Sequence, residues 1–267
     1  MASPGCKSKC KITHIGTATA ILEIDGINFL TDPFFSPAGT TWDMGGGNVL
    51  KNTEDPAMKL EDLPHIEAIL LSHEDHPDNL DELGRQLLNG RRVFTTSDGA
   101  KNLSPRPDVV GIKPWDTVEM TVGEKKFQIT ATPCQHLPGG ECIGFVITTD
   151  TFGLSSDGRP NAIYFSGDTV YIEELREIGN RFHVAAAIMN VGAAFAAMPD
   201  GPLQITMCGK QAARLFNEIK ADKLVPMHYD SWGHFTQHGN DLADDFKNEA
   251  VYDKVAWLSP GTAVSIF

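Results

Sequence analysis

Apolar, β-prone residues interrupted by single or paired polar ones make short strand-like runs of "KITHI", "TAILEI" and "INFLT", and the Asp25-Gly26 pair between the last two is a tight-hairpin signal. The chain is expected to open as a β meander. A glycine-rich stretch over residues 36–60 follows, long enough to predict a rim or lid loop. Ile66 to Ser72 then reads as a buried strand, and Leu80, Leu83 and Leu87 recur at helical spacing beyond it, with Asp78 or Asn79 as the N-cap. Four more strands are predicted at "VEMTV", "KFQITATP", "CIGFVITT" and "AIYFSG". A short helix over Val170 to Gly179 and a buried strand "VAAAIMN" come next. Ala212, Leu215, Phe216 and Ile219 mark an amphipathic helix before the strand "KLVPM", and "VAWL" and "TAVSIF" close the chain as strands. Strands interleaved with helices predict an α/β fold of layered sheets covered by helices.

Composition narrows the picture. With 267 residues, 41% of them hydrophobic, the chain is expected to form one domain over 1–267 with a flexible N-terminus over residues 1–10. A formal charge of −13 argues against nucleic acid and favours a neutral or cationic small molecule. No apolar run reaches the roughly 18 residues of a membrane span, and the opening residues lack the apolar core of a secretory signal. The expectation is a soluble, cytoplasmic protein. The odd set of five cysteines does not read as a disulfide framework, and Cys6 and Cys10 make only half of a zinc site.

Polar residues at strand ends carry the chemistry. The run ending at Ser72 leads to His73 and His76, "TATP" to His136, "AIYFS" to Asp168, "KLVPM" to His228 and "FLT" to Asp32. In layered sheets such ends converge on one edge, and imidazoles with a carboxylate bind zinc while leaving a coordination position to water, whose pKa falls to about 7. His65, His183 and His238 are read as packed or solvent-facing.

"SHEDHPDN", "TPCQH", "YFSGDT" and "VPMHYD", in that order, resemble the successive metal motifs of the metallo-β-lactamase superfamily. "HIGTATAILEIDGINFLTDPFF" is similar to the opening of the branch that holds ascorbate-6-phosphate lactonase and the N-acylphosphatidylethanolamine phospholipase D type hydrolases. The resemblance implies an αββα sandwich, the metallo-β-lactamase fold, with the metal site at one edge of the sheets. It assigns His73, His76 and His136 to one metal, with Asp168 bridging to a second metal that also takes Asp78 and His228. One or two zinc ions per chain are implied, with manganese an option at the second position.

Two departures stand out. His73 and His76 lie three apart where the pattern has two, so anchoring on the left would make Asp75 the ligand instead of His76. Asn79 stands where the pattern places a histidine, which weakens the second site. Glu74 and Asp75 are either partners that fix imidazole tautomers or members of a solvated turn. Asp78 is the candidate general base, and His234 and Tyr229 are candidates for contacting substrate or stabilising an oxyanion. Val191 to Met207 reads as an apolar loop that, with Trp42 and Met44, walls an apolar pocket.

The function expected is a zinc-dependent hydrolase that uses metal-bound hydroxide to cleave an ester, lactone or amide of a mostly uncharged small molecule, since no arginine–lysine cluster marks a phosphate clamp. The alternatives are a phosphodiesterase of the phospholipase D type, for which no membrane-docking surface is evident in the sequence, and a non-catalytic metal-binding scaffold. Homo-oligomers are common among relatives and are compatible with this chain.

Overall fold

The computed structural model describes residues 8–44 and 49–266. Strands β1 (Cys10–Gly16), β2 (Thr19–Ile24) and β3 (Ile27–Thr31) form the opening meander. Asp25 (φ 51°) and Gly26 (φ 84°) make the left-handed two-residue turn between β2 and β3 that the Asp-Gly pair predicts. Cys10 is buried at the start of β1, so the flexible stretch expected over residues 1–10 does not extend that far. Cys6 lies outside the described residues. Within 36–60, β4 (Thr41–Asp43) pairs with β5 (Val49–Lys51) as a hairpin.

β6 (Ala68–Leu70), α1 (Glu82–Leu87), β7 (Arg92–Thr95), α2 (Ser97–Asn102) and β8 (Val109–Gly111) follow as an alternation of strands and helices. Then come β9 (Thr117–Val122), β10 (Lys125–Pro133), β11 (Ile143–Thr149) and β12 (Asn161–Phe165). After these the chain forms α3 (Glu177–Arg181), β13 (His183–Asn190), β14 (Phe195–Met198) and β15 (Gly201–Gln204). It closes with α4 (Gly209–Glu218), β16 (Leu224–Met227), α5 (Gly239–Asn248) and β17 (Ala263–Ser265).

One sheet runs β17-β1-β2-β3-β6-β7-β8 and the other β16-β13-β12-β11-β10-β9. Period-two alternation explains how they stack. In β2, Ala20, Leu22 and Ile24 join a core shared with Phe127, Ile129 and Phe145 of the other sheet, while Ile21 faces away among Leu80, Leu87 and Leu103 near α1 and α2. In β12, Ile163 and Phe165 point into the shared core and Tyr164 points out among Leu215, Phe216 and Phe246 of α4 and α5. Each sheet therefore buries both faces, one against its partner and one under helices. This is an αββα sandwich.

Several sequence expectations shift. α1 is capped by Asp81, whose carboxylate accepts from Gly84 N at 2.6 Å, rather than by Asp78 or Asn79. Asp78 and Asn79 turn elsewhere: Asp78 Oδ2 lies 3.7 Å from His228 Nε2, and Asn79 Nδ2 donates to Asp32 Oδ2. Val170 to Ile172 are not helical; a 3₁₀ turn begins at Glu173 and leads into α3. "VAWL" makes a single parallel bridge, Val255 to Leu224, with Ala256 N donating to Leu224 O at 2.8 Å. The expected apolar loop over Val191 to Met207 contains the β14–β15 hairpin. Among the described residues no helix is long and apolar enough to cross a membrane.

Strand direction places the site. β3, β6 and β7 are parallel, as are β12, β13 and β16, so their carboxyl ends fall on a common edge. β10 joins them, being antiparallel to β11, which is antiparallel to β12. At that edge Ile143 N donates to Ser72 O at 3.0 Å, tying the two sheets together. Gly167 (φ 58°) sits in the same seam. A Cβ there would lie 2.6 Å from Ile143 O and 2.8 Å from Ser72 Cβ, so the turn that delivers Asp168 needs glycine.

Candidate metal centre

Three imidazoles converge where β6 and β10 end. His73 Nε2 and His136 Nε2 each lie 3.0 Å from His76 Nδ1. Their outer nitrogens are set by fixed partners. His73 Nδ1 is 2.8 Å from Ser72 Oγ, and His136 Nδ1 is 2.7 Å from the carbonyl of Ile205, so it donates there and leaves its Nε2 lone pair facing the cluster. Burial first, and then the neighbouring rings, pushes His73 well below the usual imidazole range, and burial lowers His136. His73 and His136 are thereby biased to the neutral form, the one that binds metal.

Beside them lie Asp78, Asp168 and His228, all buried. His228 Nε2 is 3.4 Å from Asp168 Oδ2 and 3.7 Å from Asp78 Oδ2. His228 has φ 61°, the left-handed region that a non-glycine residue rarely adopts and that recurs at functional sites. Burial works against charge on its ring, but Asp168 and Asp78 overcome it and lift the pKa to about 10. In turn burial favours the neutral form of both carboxyls, and His228 outweighs it to hold them well below the usual carboxylate range.

The donor set fits divalent ions. Within each trio, one ligand atom per residue lies within 4.8 Å of the other two. Three ring nitrogens cannot share that space as N–H groups without repulsion, and both ring nitrogens of buried His228 lack a hydrogen-bond partner. A cation among these lone pairs and carboxylates would remove the repulsion and give His228 Nε2 a partner.

The sequence-predicted residues are sorted by this geometry. His73, His76 and His136 come together, as do Asp78, Asp168 and His228, while Asp75 is exposed and outside both groups. Glu74 pairs with Arg85 Nη2 at 3.2 Å and accepts from Asn102, so it does not set an imidazole tautomer as one reading supposed. Asn79 and Asp32 bond to each other behind the cluster, at 3.1 Å from Nδ2 to Oδ2. Burial above all, with the charge of Asp168, lifts Asp32 to about 7 against the hydrogen bonds it accepts from Ser72 and Asn79. Asn190, unassigned by the motifs, donates to Asp168 Oδ1 at 2.7 Å. It closes the strand "VAAAIMN", so the signal of a polar residue at a strand end was present for it too.

A cavity of about 310 Å³ opens over both clusters. His76, Asp78, His136, Asp168, Thr206 and His234 are its polar lining, and Leu137, the β14 segment Phe195–Met198 and Ile205 are among its apolar wall. Among the described residues neither lysine nor arginine lines it. Tyr229 does not reach it: its ring packs edge-on against Trp257 at 6.1 Å, which corrects the expectation that it contacts substrate. Met44 lines the cavity, whereas Trp42 packs behind it against Phe34 and Trp232.

Residues 27–229 match the family model described as a beta-lactamase superfamily domain. The chain belongs to the beta-lactamase superfamily. Among superfamily relatives, a metal-dependent hydrolase of Methanopyrus kandleri is 23% identical over 94% of this chain and 97% of its own. The mitochondrial N-acyl-phosphatidylethanolamine-hydrolyzing phospholipase D of Saccharomyces cerevisiae is 24% identical over 87% of this chain, which spans 50% of that protein. The crystal structure of isothiocyanate hydrolase from Delia radicum gut bacteria superposes with a TM-score of 0.77 at 23% identity, covering 95% of this chain and 98% of that one. These similarities agree with the sandwich and with the branch that the opening segment resembles.

Proposed function

We propose that this superfamily member is a metal-dependent hydrolase that opens an ester, lactone or amide bond in a mostly uncharged small molecule. The observation that carries this reading is the pairing of two ligand trios with a cavity whose wall is apolar and free of cationic side chains. Apart from the ions themselves, a phosphoryl substrate would find no lysine or arginine among the described lining residues to pair with its charge.

In this reading His73, His76 and His136 would hold one ion, and Asp78, Asp168 and His228 would hold a second. Zinc suits the histidine trio, and the more oxygen-rich trio also accepts manganese. Bound there, divalent ions supply Lewis acidity and lower the pKa of water to about 7. Phe195, Ala196, Met198 and Ile205 bury the apolar part of the substrate, exclude bulk water and orient its carbonyl over the ligand atoms. Asp78, kept ionised beside His228, takes the proton of the attacking water at its carboxylate. His234, whose pKa burial lowers, offers a neutral imidazole as donor to the oxygen of the breaking bond.

The phosphodiesterase reading has its own support. Met44, Val49 and Phe195 are exposed large apolar residues lining the cavity, an apolar rim that the sequence did not make evident. A panel of nitrophenyl esters and lactones beside bis-nitrophenyl phosphate, run with zinc-loaded protein, separates the two. Turnover of the carbonyl substrates at least tenfold above the diester is expected. Faster diester cleavage would replace the first reading with the second, and no turnover of either class would favour a metal-binding scaffold.

A further inference from the structure

Asn79 occupies the position where the motif pattern places a ligand histidine; its Oδ1 has no hydrogen-bond partner, but its Nδ2 is committed to a neighbouring carboxylate. Asn79 is fully buried, and its Nδ2 donates to Asp32 Oδ2 at 3.1 Å. The same carboxylate accepts from Ser72 twice, at Oδ1 from the backbone N (2.7 Å) and at Oδ2 from the hydroxyl (2.8 Å). Ser72 Oγ in turn lies 2.8 Å from His73 Nδ1. All three groups around Asp32 are donors. With its proton given to Asp32, the Ser72 hydroxyl can only accept from His73, which puts the His73 proton on Nδ1 and leaves the Nε2 lone pair facing His76 and His136.

We propose that Asn79 is a positioning residue that acts through Asp32 and Ser72 on His73, and not a weakened ligand of the Asp78–Asp168–His228 trio. Deleting its amide removes one of two donors to Asp32 Oδ2, frees that carboxylate to rotate, and loosens the hydroxyl that sets the His73 tautomer. The effect of Asn79 therefore appears at the histidine trio, although Asn79 is adjacent in sequence to Asp78. Asp32 itself is braced by strand geometry: it follows β3 at φ 30° and its own N–H donates to Leu70 O at 3.1 Å, so the relay is rigid at its far end.

The inference rests on the proposed metal site for its consequence but not for its first test. Nitrogen-15 NMR of histidine-labelled, metal-free protein reads the tautomer directly. His73 is expected to be protonated at Nδ1 in the wild type and to become a tautomer mixture in Asn79→Ala and Ser72→Ala. His136, tied independently to the Ile205 carbonyl, stays unchanged in both and serves as the control that a general loss of structure would fail. The second readout is zinc affinity by chelator competition in a His228→Ala background, which leaves the histidine trio intact. Asn79→Ala should weaken that affinity about tenfold, and adding Asp32→Asn should weaken it little further, as expected for residues of one chain. An unaltered His73 in Asn79→Ala, with loss confined to a second ion, would overturn the proposal and make Asn79 a ligand. Absence of zinc binding in the wild type would count against the proposed function alone, since the tautomer readout still decides the role of Asn79.

Discussion

His228 Nε2 lies 3.4 Å from Asp168 Oδ2, a buried pair at the deepest point of the candidate site. Without metal this is an imidazolium held between carboxylates, since Asp168 and Asp78 lift His228 from 6.5 to about 10 in spite of its burial. An arriving cation has to displace that proton.

Metal affinity of this trio is therefore expected to rise with pH. Between pH 7 and 9 one proton leaves per ion bound, so the apparent association constant increases about tenfold per pH unit and levels off near pH 10. Chelator competition at pH 7, 8 and 9 checks it, and a flat profile would show that His228 is already neutral.

The metal-free fold should have a matching stability window. His228, with a raised pKa, contributes stability fully below about pH 6.5 and loses it as the pH rises through about 10. Asp78 and Asp168, with lowered pKa values, contribute above about pH 4 and lose it as the pH falls. Asp32 acts oppositely, eroding stability as the pH climbs from 3.8 to about 7. Replacing Asp168 by Asn leaves the imidazolium with a single nearby carboxylate and is expected to cost about 3 kcal/mol at pH 7. Urea melts in the presence of a chelator measure this, and a loss under about 1 kcal/mol would contradict the ion-pair assignment.

His234 lines the cavity but belongs to neither ligand trio. His234→Ala is expected to lower kcat by about 10²-fold while leaving metal content unchanged, the signature of a lost donor to a developing oxyanion. A fall in metal content would move His234 into the ligand set instead.

The apolar wall should govern affinity for neutral substrates. Ala196→Lys places a cation in the β14 segment of the cavity lining, and KM for a neutral nitrophenyl ester is expected to rise about tenfold with kcat little changed, since the loss is of uniform binding. An unchanged KM would mean that substrate does not lie along β14.

Much of this was legible before any coordinates. Strand ends announced themselves because a buried strand is an apolar run, and polar side chains just past it gather at the sheet edge: His73, His136, Asp168 and His228 are such positions. The spacing of His73 and His76 left Asp75 open as the ligand. Three-dimensional placement settles their positions, with His76 Nδ1 3.0 Å from His73 Nε2 and Asp75 exposed. Tyr229 could not be excluded from sequence, because adjacency to His228 says nothing about direction. The left-handed backbone at His228 and the packing on Trp257 send the two side chains different ways.

Local pattern thus determined layered sheets covered by helices and the strand ends that carry the chemistry, since periodicity and apolar burial act over neighbouring residues, while the αββα order was legible only through the resemblance of the ordered motifs. Only the tertiary structure decided which nitrogen of each histidine faces inward, that Asn79 turns to Asp32, and that no cation enters the cavity wall. Those outcomes depend on hydrogen bonds and contacts between segments far apart in the chain, such as His136 to Ile205, and their geometry is set by how the two sheets meet.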